Sequence, residues 1–189
     1  MSFNKLTPEQ DNFIRNNCLY PNFPIDGVNF LDIFPFLEKY HYDKIYADEP
    51  IILIPEARGF LFYRDFDSNK ALPLRKSNKL PGKLISISTE KEYGKDTLFF
   101  QEDALRRHII RYREKNPHAT VIPVMLFDDV AATGMTAESI INFFRNFTFE
   151  GCTFYFTRCR FFFELSNLGA RERLNKLNVN FETYYSISL

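Results

Sequence analysis

Two adjacent carboxylates, Asp128 and Asp129, follow an unbroken apolar run, Val124-Met125-Leu126-Phe127, and are themselves followed by Val130-Ala131-Ala132-Thr133-Gly134-Met135-Thr136. An apolar run without alternation is the pattern of a strand covered on both faces. The Thr-Gly turn after it opens a helix, and ligands of open α/β sheets bind at that edge. The N–H groups of such a turn and of the helix start cradle a phosphate, and the two threonine hydroxyls add to the cradle. Ionised carboxylates are acceptor-only groups, suited to gripping the hydroxyls of a sugar. The unit therefore reads as a ribose 5-phosphate site, with Asp128, Asp129, Ala132, Thr133, Gly134, Met135 and Thr136 as its candidates. The plainer alternative is an Asp-capped helix behind a strand.

The elements around this unit are those of an α/β protein with a mostly parallel sheet. Thr7 is placed to cap a first helix with Pro8 at its first position. Residues 20–27 are turn-rich. Residues 51–54, Ile-Ile-Leu-Ile, form a second buried strand, and residues 70–75 a short third. Residues 79–95 are polar and contain two glycines, which reads as a long surface loop of the kind that is usually functional or disordered. Residues 104–115 form an amphipathic helix with Leu105, Ile109 and Tyr112 on one side among arginines. The strand at residues 121–127 carries Pro123, expected near its start because proline donates no ladder bond. Helical periodicity returns over residues 136–147 through Ile140, Ile141, Phe143 and Phe144. Strand segments follow at residues 152–156 and 161–163, then a short helix at residues 168–177. Strands alternating with helices argue for the parallel arrangement.

Composition narrows the function. The chain has 189 residues, enough for one sizeable core and short for two, so one domain over residues 1–189 is expected. Lys and Arg total 24 and Asp and Glu total 24, so no net field gathers nucleic acid or a membrane surface. The start of the chain has no apolar signal segment, and the apolar runs are too short to span a bilayer. Cys18, Cys152 and Cys159 lack metal spacing and suit a reducing cytoplasm as small core residues. His41, His108 and His118 form no ligand-spaced cluster. The expected metal site on the protein is none. With only seven glycines, each is expected where the backbone needs a positive φ or a close approach.

The Asp-Asp–Thr-Gly unit resembles the phosphoribosyl pyrophosphate motif of the type I phosphoribosyltransferases. Four more segments resemble the adenine phosphoribosyltransferase branch in its order. Asn22-Phe-Pro-Ile-Asp-Gly27-Val-Asn-Phe30-Leu-Asp32-Ile33 is similar to the N-terminal base-binding segment, spanning about residues 1–35. Glu56-Ala57-Arg58-Gly59-Phe60 resembles the pyrophosphate loop. Arg75-Lys76-Ser-Asn-Lys79-Leu-Pro-Gly82, continuing to Glu92-Tyr93-Gly94, resembles the mobile loop of about residues 77–96. Phe163-Glu-Leu165 to Arg171-Glu-Arg-Leu resembles the C-terminal segment. The matches run from about residue 20 to the C-terminus.

The resemblance implies a type I phosphoribosyltransferase fold with a small N-terminal hood. It implies transfer of the 5-phosphoribosyl group from phosphoribosyl pyrophosphate to adenine, giving AMP and pyrophosphate. Arg58, able to make a forked contact with an anion, would meet the pyrophosphate and be dispensable for folding on a ligand-facing loop. A cis Glu56–Ala57 peptide is expected beside it. Arg75, Lys76 and Lys79 would add positive charge. Glu92 and Tyr93 would close over the reaction and exclude water. Phe30 would stack on the base, backbone groups of Asn29 and Leu31 would read its edge, and Leu165 would pack against its other face. Magnesium is expected with the pyrophosphate substrate rather than in a protein cage, and a homodimer is the family expectation. The sequence departs from the family at Met135, in place of a second glycine, and at Asn78, in place of a mobile-loop glycine. The stretch from Asp32 to Ile51 is short, and residues 105–120 read as an insertion whose arginines face solvent, a partner subunit or nucleic acid. Two alternatives stay open: transfer to another purine base, and a non-catalytic sensor of phosphoribosyl pyrophosphate.

Overall fold

The structure, a computed structural model, describes residues 4–67, 69–91 and 94–188. Its centre is a five-stranded parallel sheet in which β3 (Ile51–Pro55), β4 (Ala71–Leu74), β7 (Val121–Ala131), β8 (Thr153–Leu165) and β9 (Asn180–Ile187) take the order β4-β3-β7-β8-β9. The apolar runs become strands because both faces are covered. Ile51, Ile52, Leu53 and Ile54 are all 0% exposed, and alternate residues enter two different cores. Ile51 and Leu53 face the layer of α4 (Met135–Asn146) and α3 (Glu102–Lys115). Ile52 and Ile54 join Met125, Phe127 and Phe162 beneath the N-terminal hood. There the ring of Phe162 meets Phe62 at 4.7 Å and Tyr42 at 5.0 Å. Burying each such side chain contributes about 1.5–3 kcal/mol. Pro123 is tolerated in the central strand because β3 meets β7 only from Val124 onward.

The hood consists of α1 (Pro8–Asn17), a short hairpin of β1 (Leu19–Pro21) and β2 (Asn29–Leu31), and α2 (Phe34–Lys39). Thr7 does cap α1: its hydroxyl accepts from the Gln10 N–H at 3.2 Å, and the Gln10 side chain accepts from the Thr7 N–H at 2.9 Å. The segments read at residues 104–115, 121–127 and 136–147 appear as α3, β7 and α4, those at 152–156 and 161–163 both as β8, and that at 168–177 as α5 (Ala170–Lys176).

Two expectations are corrected. Most of the stretch read as a loop at residues 79–95 belongs to a long antiparallel hairpin, β5 (Leu84–Lys91) with β6 (Gly94–Gln101). Its face of Ile87, Leu98 and Phe100 is buried in the α3–α4 layer, which compensates for the ordering of a polar segment. The two strand segments at residues 152–163 are one strand, β8, interrupted in sequence by Arg158 and Arg160. These stay in the strand because each meets a carboxylate: Arg158 Nε lies 2.7 Å from Glu49, and Arg160 Nη2 lies 2.7 Å from Glu182. Of the arginines of α3, Arg107 and Arg111 are exposed to solvent, and three of the four also brace the chain itself. Arg106 joins Glu102, Asp103 and Glu150, Arg111 donates to the Asn69 carbonyl, and Arg113 donates to the Ala119 carbonyl at 3.1 Å. All three cysteines are buried and free. Among the described residues no helix is long and apolar enough to cross a membrane.

Candidate active site

The C-terminal ends of β3, β7 and β8 open into one cavity of about 540 Å³, roofed by the hood hairpin and walled on one side by the β5–β6 hairpin. Strand β7 carries Asp128 and Asp129 to its floor, where the Asp129 N–H donates to Asp128 Oδ1 at 2.9 Å. Gly59 stands behind the pair. A Cβ there would lie 3.1 Å from both Asp128 Oδ1 and Ile54 Cγ2, so any larger residue would press on that carboxylate. Burial first, and the neighbouring Asp129 charge second, push Asp128 well above the usual carboxylate range; the Arg58 cation offsets only part of this. Ala132, Thr133, Gly134, Met135 and Thr136 line the same cavity where β7 turns into α4. Gly134 has φ +79°, in the left-handed region, at the N-cap of α4. The turn of residues 133–136 into a helix is therefore as the motif requires.

Strand β3 leads to a cis Glu56–Ala57 peptide and then to the 3-10 helix Arg58–Asp65. Arg58 reaches across the cavity. Its Nε lies 2.6 Å from Asp129 Oδ2, its Nη1 donates to the Leu31 carbonyl at 2.6 Å, and its guanidinium sits 4.7 Å from the centre of the Phe30 ring. One side chain thus ties the hood to the carboxylate floor. The Arg58 side chain is 25% exposed and Asp129's is 8% exposed, so this arginine is more deeply engaged than a free loop residue. Glu56 accepts from the Lys76 N–H at 2.8 Å and from Arg75 Nε at 2.9 Å. Burial pushes the Glu56 carboxyl up, but those two donors outweigh it and hold it below the usual range. Asn29, Phe30 and Leu31 line the roof, and Leu165, at the end of β8, lines the wall facing it.

Comparison with known proteins places this arrangement. No family model matches the chain. The adenine phosphoribosyltransferase of Fervidobacterium nodosum is 39% identical, over 70% of this chain and 76% of that one. That of Caldicellulosiruptor bescii is 33% identical, over 89% of this chain and 93% of its own. The chain belongs to the adenine phosphoribosyltransferase family. A solved structure of the adenine phosphoribosyltransferase of Thermoanaerobacter pseudethanolicus superposes with a TM-score of 0.62 at 26% identity, covering 93% of this chain and 99% of that one. The fold is that of the type I phosphoribosyltransferases.

Of the residues singled out from sequence, Asn29, Phe30, Leu31, Arg58, Lys76, Asp128, Asp129, residues 132–136 and Leu165 meet at this cavity. Arg75 and Lys79 do not line it. Arg75 is turned to Glu56, and Lys79 sits in the exposed stretch before β5, its N–H donating to Ser77 Oγ at 3.2 Å. Glu92 and Tyr93, which fall between β5 and β6 in the sequence, lie outside the described residues. Residues not singled out also line the cavity, among them Thr89 and Asp96, which face each other across the hairpin. Their signal was present in the alternation Ile85, Ile87, Thr89: the inward row turns polar where the strand reaches the cavity.

Proposed function

We infer that this chain transfers the 5-phosphoribosyl group of phosphoribosyl pyrophosphate to adenine, yielding AMP and pyrophosphate. The observation that carries this reading is a single cavity in which an aromatic roof, a phosphate turn and a carboxylate pair face one another. The base lies under Phe30 with Leu165 against its other face, its edge read by backbone groups of Asn29 and Leu31. Residues 132–136 hold the 5-phosphate, and Asp128 and Asp129 accept the ribose hydroxyls. Adenine N9 attacks the anomeric carbon, the bond to pyrophosphate breaks with its electron pair, and the N9 proton is released. The ribose passes through an oxocarbenium-like state, so positioning and charge stabilisation carry the rate. Arg58 and Lys76 supply positive charge on the leaving-group side.

Asp128 and Asp129 open on the cavity as two carboxylates, and among the described residues no group of three or more ligand-type side chains stands together. This donor set fits a magnesium ion held chiefly by the oxygens of phosphoribosyl pyrophosphate. When bound, such an ion neutralises charge on the departing pyrophosphate. The three buried thiols support a reducing, cytoplasmic setting. The functional unit is proposed to be a homodimer, and a monomeric mass by light scattering at assay concentration would refute that.

The test is nucleotide formation from adenine, hypoxanthine, guanine, xanthine or uracil with phosphoribosyl pyrophosphate and magnesium, resolved chromatographically. AMP from adenine is the expected product, and preference for another base overturns the assignment. The β5–β6 hairpin is proposed to carry Glu92 and Tyr93 over the reacting groups. Ser139 fastens the described part of β5 to α4: its hydroxyl accepts from the Glu90 N–H at 3.1 Å and donates to the Met135 carbonyl at 2.9 Å. A net hydrogen bond is worth about 0.5–1.5 kcal/mol, so Ser139→Ala is expected to reduce kcat/KM roughly two- to tenfold with little change in Tm. Unchanged kinetics would mean the hairpin docks through its apolar face alone.

A further inference from the structure

We propose that Arg173 is a positioning residue for the phosphate turn, holding the Thr133–Gly134 peptide so that the Gly134 N–H faces the cavity; this rests on the phosphoribosyl reading of that turn. Arg173 lies on α5 and does not line the cavity. Its Nε donates to the Thr133 carbonyl oxygen at 2.8 Å, and its Nη1 donates to Glu138 Oε2 at 2.6 Å. The two contacts bracket the joint between strand and helix, one just before Gly134 and the other in the first turn of α4.

The geometry of a peptide turns this hold into an orientation. Among the described residues the cis bonds are Phe23–Pro24 and Glu56–Ala57, so the Thr133–Gly134 peptide is trans. A planar trans peptide points its carbonyl and its N–H in opposite directions. With the Thr133 carbonyl turned to α5, the Gly134 N–H turns away from α5, towards the cavity that Gly134 lines. Glycine is the residue whose flanking peptides flip most freely, so a turn built on it gains most from an external hold. The same helix supplies a second one. A Cβ on Gly134 would lie 3.2 Å from Ala170 Cα, which shows how closely α5 lies against the turn. Arginine suits the task because its planar fork fixes the directions of two donors at once, aiming one at a carbonyl and one at a carboxylate.

The experiment uses ribose 5-phosphate as the probe, titrated calorimetrically into the full chain, together with steady-state AMP synthesis. Arg173→Met keeps the aliphatic stem and deletes both donors. It is expected to weaken ribose 5-phosphate binding about tenfold, the loss of one charge-assisted hydrogen bond. The KM for phosphoribosyl pyrophosphate should rise in parallel, while the KM for adenine stays within about twofold. Arg173→Lys, which still presents a donor to the Thr133 carbonyl, should recover most of the loss. A general loosening would instead raise both KM values and lower Tm, without rescue by lysine, and would overturn the proposal. So would wild-type affinity in Arg173→Met. Should Arg173→Met fail to fold, amide exchange in the unmodified protein decides: ribose 5-phosphate must slow exchange at the Gly134 amide, and an unprotected amide refutes the orientation. If the unmodified chain binds no ribose 5-phosphate, the phosphoribosyl reading itself has failed; binding that Arg173→Met leaves intact removes only the positioning role.

Discussion

Arg58→Ala is expected to lower kcat/KM by a factor on the order of 100 or more, the loss that follows removal of a forked cation from charge developing on a leaving group. The sequence alone implies that folding is spared, because the residue sits on a ligand-facing loop. The structure changes that expectation. Arg58 donates to the Leu31 carbonyl, covers the Phe30 ring and pairs with Asp129, whose side chain is 8% exposed. Deleting it leaves a buried carboxylate without its cation, at about 1–3 kcal/mol, and unfastens the hood from the sheet. For a chain of this size that is a fall in Tm of roughly 3–10 °C. Arg58→Lys separates the two roles. A lysine restores a charge beside Asp129 and should recover most of the melting temperature. It cannot reach Asp129, Leu31 and a pyrophosphate with one fork, so kcat/KM should stay at least about tenfold down. Steady-state kinetics with adenine and melts of both variants decide the matter. Full activity in Arg58→Ala would place the pyrophosphate elsewhere; lysine restoring rate and stability together would make Arg58 a structural cation only.

Much of the site was legible because its signals are local. A buried strand ending in Asp128-Asp129, followed by Thr-Gly and a helical period, is written in consecutive residues, and the cavity floor follows it closely. The low glycine count was equally informative. Gly134 sits at φ +79° and Gly59 against Asp128, a conformational need and a steric one. What escaped depends on partners distant in sequence. Arg158 and Arg160 look like a break in a strand until Glu49 and Glu182 are brought beside them. Strand β9 alternates Phe181, Thr183, Tyr185 and Ile187, yet its place follows only from pairing with β8. The polarity of residues 79–95 hides the hairpin they help to build: Ile85, Ile87, Leu98 and Phe100 form an inward row that a composition average masks. Arg58 shows the same limit within the site. Its type and place between a strand and a glycine indicate an anion, but nothing local indicates that Leu31, Phe30 and Asp129 already claim part of the guanidinium.

Asp128→Asn is expected to yield a protein that is more stable at neutral pH and far less active. Burial, and next the charge of Asp129, hold the Asp128 carboxyl well above its ordinary range in the fold. An acid whose folded-state pKa is raised binds its proton more tightly in the native chain than in the unfolded one. Its contribution to stability is therefore full below the unfolded value of about 4 and is lost as pH rises through the raised folded value. At pH 7 to 8 the native chain must either keep that proton or tolerate a second negative charge beside Asp129, and both are penalised relative to the unfolded chain. Asparagine is neutral throughout and keeps the oxygen that accepts from the Asp129 N–H. Without ligand, the Tm of Asp128→Asn should exceed that of the unmodified protein at pH 8, and the gap should close towards pH 4. Activity should move the other way. An amide is a poorer acceptor for ribose hydroxyls and for a magnesium-bound substrate, so kcat/KM should fall by a factor on the order of 100. Phosphoribosyl pyrophosphate with magnesium should also raise Tm more in the unmodified protein than in the variant, because positive charge at the cavity relieves the very repulsion that asparagine removes. Scanning calorimetry from pH 4 to pH 8, with and without that ligand, gives all three results. An Asp128→Asn protein less stable than its parent at pH 8, or a Tm gap independent of pH, would show that Asp128 does not carry the strained charge of the site.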